Sequence, residues 1–138
     1  MDIRLPYPPT TENAAKLADV FVEAARATSG LEFDFRPESV ILAEQQIGDL
    51  ESSGMPVEAL ASSLFTMGCY LGEVLVRGLG ATWIKTEDSP LHELVPWPIV
   101  VRMPTGYCWN PIGRVFKRFE LGNSESLVDF VNSIRGKS

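Results

Sequence analysis

The sequence predicts an α+β fold of three N-terminal helices, a small sheet and one or two C-terminal helices. Apolar residues recur at helical spacing over most of residues 14–78 and again over residues 112–134, whereas residues 81–109 carry short β-branched and aromatic runs between prolines. Elements segregated along the chain in this way indicate α+β rather than alternating βαβ units. The 138 residues suit a single domain, 1–138, in which residues 1–10 form an extended, proline-containing N-terminal arm.

The first helix follows this arm. Thr10 or Thr11 is predicted to cap it, its apolar side chains recur at helical spacing up to Ala25, and Gly30 supplies a stop. The next residues, LEFDF at 31–35, alternate apolar and acidic side chains. This pattern is typical of a short half-buried strand or of an extended link.

The second and third helices come next. Pro37 occupies a position that the first turn of a helix tolerates, and the apolar stripe of the second helix ends near Gly54. The third helix, over residues 56–78, is apolar nearly all round from residue 67 to residue 76. Since such a helix must be buried from two sides, we expect it to be central in the fold.

Four glycines interrupt this central helix and its end. Gly68 and Gly72 fall within the arc of its packing face. A glycine inside a helix costs about 1 kcal/mol relative to alanine, so we expect another helix or a strand to approach closely there, the alternative being a groove for a ligand. Gly78 and Gly80 are predicted to end the helix and to lead the chain into the sheet.

The predicted sheet is small and mainly antiparallel, with two to three strands. ATWIKTE at 81–87 forms the first strand, and WPIVVRM at 97–103 forms a second whose β-branched run predicts burial on both faces. YCW at 107–109 adds a short third strand after a turn. The polar connection between the first two strands contains the only histidine, His92, which we expect to be exposed to solvent.

One or two helices complete the chain. Asn110 and Pro111 are a cap and first-turn pair, and Gly122 ends the helix that they begin. Asn123 or Ser124 is then predicted to cap a final helix. The apolar stripe of that helix consists of Leu127, Phe130, Val131 and Ile134.

Charge and composition narrow the function classes. The formal net charge of −6 disfavours nucleic acid and anionic membrane as partners, because phosphate binding usually requires a basic patch. The densest basic cluster, Arg114, Lys117 and Arg118, is short and is predicted to lie on a helix surface. With no charged leader before an apolar segment and no apolar run of eighteen residues, the sequence predicts a cytoplasmic protein.

The two cysteines suit the same compartment. Cys69 and Cys108 lie far apart and form no metal-spaced pair. Both are interpreted as core thiols, with a disulfide or a reactive thiol as the alternative.

No catalytic motif is present in the context that it needs. GxSxG, HExxH, P-loop and GxGxxG signatures are all missing, so the sequence predicts no catalytic residue, no cofactor and no metal site. Glu73 is the polar residue of most interest, since it lies off the glycine face of the central helix. In the simpler interpretation it pairs with Arg77 one turn on. In the alternative, five residues converge where helix meets sheet and form a polar site with aromatic walls: Tyr70, Glu73, Arg77, Trp83 and Arg102.

Most of the chain resembles a loosely defined set of small bacterial α+β proteins of unknown function. The resemblance lies in GCYLGEVLVRGLGATW at 68–83, in LEFDFRPESVILAEQQI before it and in NPIGRVFKRFELGNSESLVDFVNSI after it. The shared pattern is an extended aromatic segment, a PES helix start, a GxYxGE helix and a Trp strand. The resemblance implies an immunity-like or accessory factor and brings no catalytic residues with it.

Two functions follow as expectations. The first is a non-catalytic binding or interaction protein whose acidic surface recognises a basic protein partner, as an immunity-like factor recognises a toxin. The alternative is a small enzyme or ligand-binding domain that uses the neighbourhood of Glu73. A homodimer is compatible with either.

Overall fold

Five helices and a three-stranded sheet make up the fold in a computed structural model that describes residues 3–137. Short 3-10 turns precede or follow several of these elements. The predicted α+β class and the order of helices, sheet and helices are confirmed. The elements are α1 (Ala14–Ser29), α2 (Val40–Ser52), α3 (Val57–Leu79), β1 (Thr82–Lys85), β2 (Ile99–Arg102), β3 (Cys108–Trp109), α4 (Pro111–Leu121) and α5 (Leu127–Lys137).

Helix α3 is the centre of the molecule, as its sequence predicts. It packs against α1 on one side and α4 on the other, and it also touches β1 and β2. Every residue from 64 to 75 is buried. By length and composition, α3 is the one helix among the described residues that could cross a membrane, yet 78% of its apolar window is buried inside the fold, as in a core helix.

Two glycines of α3 allow its neighbours to approach. A Cβ atom at Gly68 would lie 2.6 Å from the Cα atom of Ile112 in α4, and one at Gly72 would lie 2.1 Å from the ring of Trp83 in β1. Both distances are far shorter than a van der Waals contact. The close-packing interpretation is therefore confirmed, and the space that a ligand groove would need is filled by these two side chains.

The end of α3 differs from the prediction in one respect. Gly80 ends the helix in a left-handed conformation (φ 76°), as expected. Gly78, which was also expected to end it, instead lies within the last turn of the helix, against Pro37. One left-handed residue suffices to stop a helix, so the second glycine has no such role.

The sheet is antiparallel in the order β1-β2-β3. Its central residues Ile99, Val100 and Val101 are buried, which confirms the expectation of a strand covered on both faces. Residues 31–35 form an irregular link, bent at Phe35, and not a strand. Phe33, which belongs to this link, is buried in the core. Its ring packs edge-on against the rings of Phe21 and Tyr70.

The predicted N-terminal cap is present in α4 and absent in α1 and α5. The side chain of Asn110 accepts a hydrogen bond from the N–H of Gly113 at 2.9 Å, as a cap of α4 should. Neither Thr10 nor Thr11 caps α1, because the 3-10 turn Thr11–Asn13 precedes the helix and leaves Asn13 next to its first residue.

The cap of α5 is also displaced. Asn123 and Ser124 lie in the 3-10 turn Gly122–Glu125 and do not begin the helix. Ser126 takes that role, since its hydroxyl accepts a hydrogen bond from the N–H of Asp129 at 3.2 Å.

The basic cluster on α4 is not a helix surface throughout, which corrects the prediction. Lys117 is exposed, but the side chain of Arg118 is only 4% exposed. Its Nε donates to Glu44 of α2 at 2.6 Å, and its Nη1 donates to Glu51 at 3.1 Å. Glu44 also accepts hydrogen bonds from the Ser126 hydroxyl and from the N–H at the start of α5. An ion network around the buried Arg118 thus joins α2, α4 and α5.

Both cysteines are free thiols, and they differ in burial. Cys69 lies in the core, as predicted, and burial raises the pKa of its thiol to about 12. Cys108 is only half-buried, because it sits in the short edge strand β3, so its assignment to the core is wrong.

Candidate functional site

The Glu73 carboxylate is buried where α3 meets β1. Its side chain is 6% exposed. One oxygen accepts a hydrogen bond from the indole N–H of Trp83 at 2.8 Å, and the other accepts one from the Nε of Arg77 at 3.0 Å. The structure therefore brings together three of the five residues proposed from the sequence, and it places a charged group in a buried position with both of its oxygens bound.

Tyr70 joins this cluster indirectly, through a residue that the sequence did not single out. The guanidinium of Arg77 lies 3.6 Å above the ring centre of Phe35, whose other neighbour is the ring of Tyr70 at 4.8 Å. The Tyr70 hydroxyl accepts a hydrogen bond from the Phe35 N–H at 2.9 Å and shares another with the Ser39 hydroxyl at 2.5 Å. Burial raises the pKa of Tyr70, so its phenol is a neutral structural group.

Phe35 holds a backbone conformation that large side chains rarely adopt. Its φ of 65° lies in the left-handed region, and among the described residues it is the one non-glycine with a positive φ. The alternation of LEFDF gave no sign of this, because the conformation depends on contacts with Tyr70 and Arg77, which lie more than thirty residues away.

Arg102 does not belong to the cluster, which corrects the prediction. It is paired with Thr82 across β1 and β2, whereas Trp83 is paired with Val101. Since neighbouring residues of a strand point to opposite faces, the side chain of Arg102 leaves the sheet on the face opposite that of Trp83. It is exposed there.

The cluster is built as a clamp between α3 and β1. A carboxylate with both oxygens hydrogen-bonded and a guanidinium beside it is satisfied within the protein. None of the grooves described below is lined by Glu73. In the part of the chain that the structure describes, no group of three or more His, Cys, Asp or Glu side chains could hold a metal ion.

A different region has the shape of a binding surface. We call residues 89–98, between β1 and β2, the Trp97 loop. Three grooves meet at the Trp97 side chain, and the tip of the loop presents Leu94 with 79% of its surface exposed.

The three grooves differ in their linings. The arm groove, about 610 Å³, is lined by residues that include Pro9, Glu12, Lys85, Glu87, His92 and Trp97. The Trp109 groove, about 470 Å³, is lined by residues that include Leu94, Trp97, Trp109, Arg114, Lys117 and Phe130. The proline groove, about 580 Å³, is lined by residues that include Leu5, Tyr7, Pro8, Phe65, Trp97 and Pro98. Volumes in this range are those of ligand-binding clefts.

Trp97 is held rigidly in this surface. Its ring stacks on Phe116 of α4 at 4.4 Å and meets Phe65 of α3 edge-on at 5.9 Å. The hydroxyl of buried Thr86 donates to the carbonyl oxygen of Trp97 at 2.5 Å, and the Thr86 N–H donates to the carbonyl oxygen of Pro98 at 3.0 Å. Trp97, which lines all three grooves, is thus held both at its ring and at its backbone.

The arm groove carries exposed carboxylates. Glu12 and Glu87 are both exposed and line it together with Lys85. Hydrogen bonds from its own backbone N–H and from the hydroxyls of Thr10 and Thr11 lower the pKa of Glu12. His92 is exposed, as predicted, and its Nδ1 lies 3.1 Å from the carbonyl oxygen of Ser89.

The sequence contained one signal for this surface. Three prolines, Pro90, Pro96 and Pro98, surround Trp97 in a segment that has no regular element of its own. Prolines restrict such a loop to few conformations, and a loop of fixed shape is a common position for binding residues. No protein-family model, curated protein or solved structure matches the chain.

Proposed function

We propose that the protein is a non-catalytic binding protein that recognises another protein through the surface around Trp97. The observation that carries the proposal is that three grooves share Trp97 as a lining residue, next to an exposed leucine in the Trp97 loop. Fixed aromatic anchors of this kind, surrounded by polar rims, are typical of the energetic centres of protein interfaces.

The charge of the chain favours a basic partner. A net charge of −6 disfavours nucleic acid and anionic membranes and attracts positively charged proteins to the molecule as a whole. Together with the sequence resemblance, this supports an immunity-like or accessory role in the bacterial cytoplasm. Glu73 is not assigned a substrate, since Trp83 and Arg77 already engage both of its oxygens.

A matched pair of variants tests the proposal. The purified protein is used to capture a partner from the native host, the partner is identified and purified, and its Kd is measured by calorimetry. Leu94→Asp places a charge on the exposed tip of the Trp97 loop and should raise Kd about ten-fold or more. Leu121→Asp changes another exposed leucine, 63% exposed, that lines none of the three grooves, and it should leave Kd unchanged.

The same experiment contains the outcomes that contradict the proposal. If no partner is captured reproducibly, or if Leu94→Asp and Leu121→Asp bind the purified partner as well as the unmodified protein does, the Trp97 surface is not a protein-binding site. Light scattering on the unmodified protein shows whether a second copy of this chain is the partner.

A further inference from the structure

The arm groove has a wall that suits the stem of a long side chain. Pro9 approaches from the arm, while Val95, Trp97 and Pro98 approach from the loop, and together they form an apolar channel. Because Trp97 and Pro98 are fixed by hydrogen bonds from Thr86, the channel exists before any partner arrives. A preformed site avoids part of the entropy cost of binding.

The rim of the same groove carries more negative than positive side chains, with Glu12 and Glu87 against Lys85. Neither Glu12 nor Glu87 forms an ion pair within 4 Å in the described part of the chain. Lys85, the one lysine or arginine in the lining, acts on Glu12 only through longer-range attraction. Two carboxylates beside one ammonium at an apolar groove leave room for a second cation, which they attract electrostatically.

The arm groove also continues into the proline groove. Pro9, Trp97 and Pro98 line both of them, so the two grooves together form one longer track across the arm and the loop. A single small molecule would fill one groove, whereas an extended peptide can follow the track and contact both.

We infer that the arm groove binds a lysine or arginine side chain from an extended segment of the partner protein, with apolar residues on either side of that cation. The inference rests on the proposed function and specifies the chemistry of its partner. The aliphatic stem lies along Val95, Trp97 and Pro98, and the charged head lies between Glu12 and Glu87. Long basic side chains bind in this divided way because only their tips are strongly hydrated.

A set of three synthetic peptides tests the inference without knowledge of the natural partner. The probes are acetyl-Ala-Leu-Lys-Leu-Ala-amide and its arginine and glutamine counterparts, titrated to about 10 mM into ¹⁵N-labelled protein and followed by amide chemical shifts. The lysine and arginine peptides should shift the amides of Glu12, Lys85, Glu87 and His92, and their Kd should increase with salt. The glutamine peptide should bind at least about three-fold more weakly, because it loses the charge and keeps the shape.

Three variants test the two carboxylates. Glu12→Gln and Glu87→Gln should each raise the Kd of the lysine peptide about three-fold, and the double variant about ten-fold. Glu38→Gln removes the same charge from an exposed residue that lines none of the three grooves, and it should leave Kd unchanged. All of these residues are exposed, so the variants should fold like the unmodified protein.

Each outcome decides something. Equal binding of the glutamine and lysine peptides, no shift at the arm groove, or a double variant that binds as tightly as the Glu38→Gln control would overturn the inference. If a captured partner loses affinity with Leu94→Asp but keeps it in the Glu12→Gln, Glu87→Gln double variant, the proposed function stands and the cation site is wrong. If the peptides bind at the arm groove and no partner protein is found, the site stands and the proposed function loses its support.

Discussion

Gly72→Ala should destabilise the protein although alanine is the better helix former. A Cβ atom at residue 72 would lie 2.1 Å and 2.2 Å from two ring carbons of Trp83, where an ordinary contact needs 3.4 Å or more. The ring must therefore move by about 1.3 Å, and this movement pulls its N–H away from the Glu73 carboxylate that it contacts at 2.8 Å.

The magnitude follows from three contributions. Overpacking of a tight core costs about 1–3 kcal/mol, and loss of a hydrogen bond to a buried charge costs about 1.5–3 kcal/mol. The higher helix propensity of alanine returns about 1 kcal/mol. The expected net loss is about 3 kcal/mol, which corresponds to a decrease in Tm of about 10 °C for a chain of this length.

Gly78→Ala is the matched control in the same helix. A Cβ atom there would lie 3.4 Å from Pro37, an ordinary contact, so we expect a gain of about 0.5–1 kcal/mol. Urea unfolding of both variants, followed by far-UV circular dichroism, measures the difference. If Gly72→Ala is as stable as Gly78→Ala, close packing is not the reason for the glycine at residue 72.

Three further predictions test the buried polar groups. Glu73→Gln should lower the free energy of unfolding by about 1–3 kcal/mol, because the amide keeps an acceptor for one donor and loses the charge that faces Arg77. A loss below about 0.3 kcal/mol in urea unfolding would show that Glu73 does not hold α3 and β1 together. Arg118→Met should cost about 3 kcal/mol, since it leaves the largely buried Glu44 carboxylate without its cation. Lys117→Met on the exposed face of α4 should stay within about 0.5 kcal/mol in the same assay. A thiol reagent at pH 8 should label Cys108 and spare Cys69, whose pKa is raised to about 12 by burial; rapid labelling of two thiols in the folded protein would show that the core opens.

Cys69 also predicts a direction for stability at high pH. The thiol has an ordinary pKa of 9.0 in the unfolded chain, and burial raises it to about 12 in the fold. Between these values the unfolded chain releases a proton that the folded chain keeps, so the free energy of unfolding should fall as the pH rises from 9.0 to about 12. Cys69→Ala should reduce that slope, and pH-dependent urea unfolding measures it.

Local sequence patterns were sufficient to predict an element where its conformation depends on its own residues. The apolar stripe of α3, the pairing of Asn110 with Pro111 and the β-branched run in β2 each specify structure within a few residues. The spacing of Gly68 and Gly72 even indicated close packing. It could not indicate that Ile112 and Trp83 would be the partners, since those contacts are set by the arrangement of whole elements.

Arg118 shows where local patterns fail. Its neighbours in sequence place it in a basic cluster of an amphipathic helix, for which a solvated surface is the ordinary outcome. Its carboxylate partners come from α2, 74 and 67 residues away in the chain, and they surround it only after α2, α4 and α5 have packed together. A single sequence does not show which distant residues will come into contact. The sequence pattern therefore predicts an exposed Arg118, although its side chain is buried in an ion network.

The candidate site also could not be located from local sequence patterns. The most unusual motif of the sequence, the glutamate after two helical glycines, forms a satisfied clamp inside the fold, where Trp83 and Arg77 use both of its oxygens. The sequence indicated a polar connection at 88–96 and a strand beginning at Trp97, but in the structure β2 begins at Ile99. Trp97 therefore lies in the loop, where its ring packs against Phe116 and Phe65 and the residue lines three grooves. Unusual residues in a core helix tend to be explained by packing, because every side chain there must be accommodated. A partner can contact only what packing leaves exposed on a rigid support, and in this fold that support lies beneath the Trp97 loop.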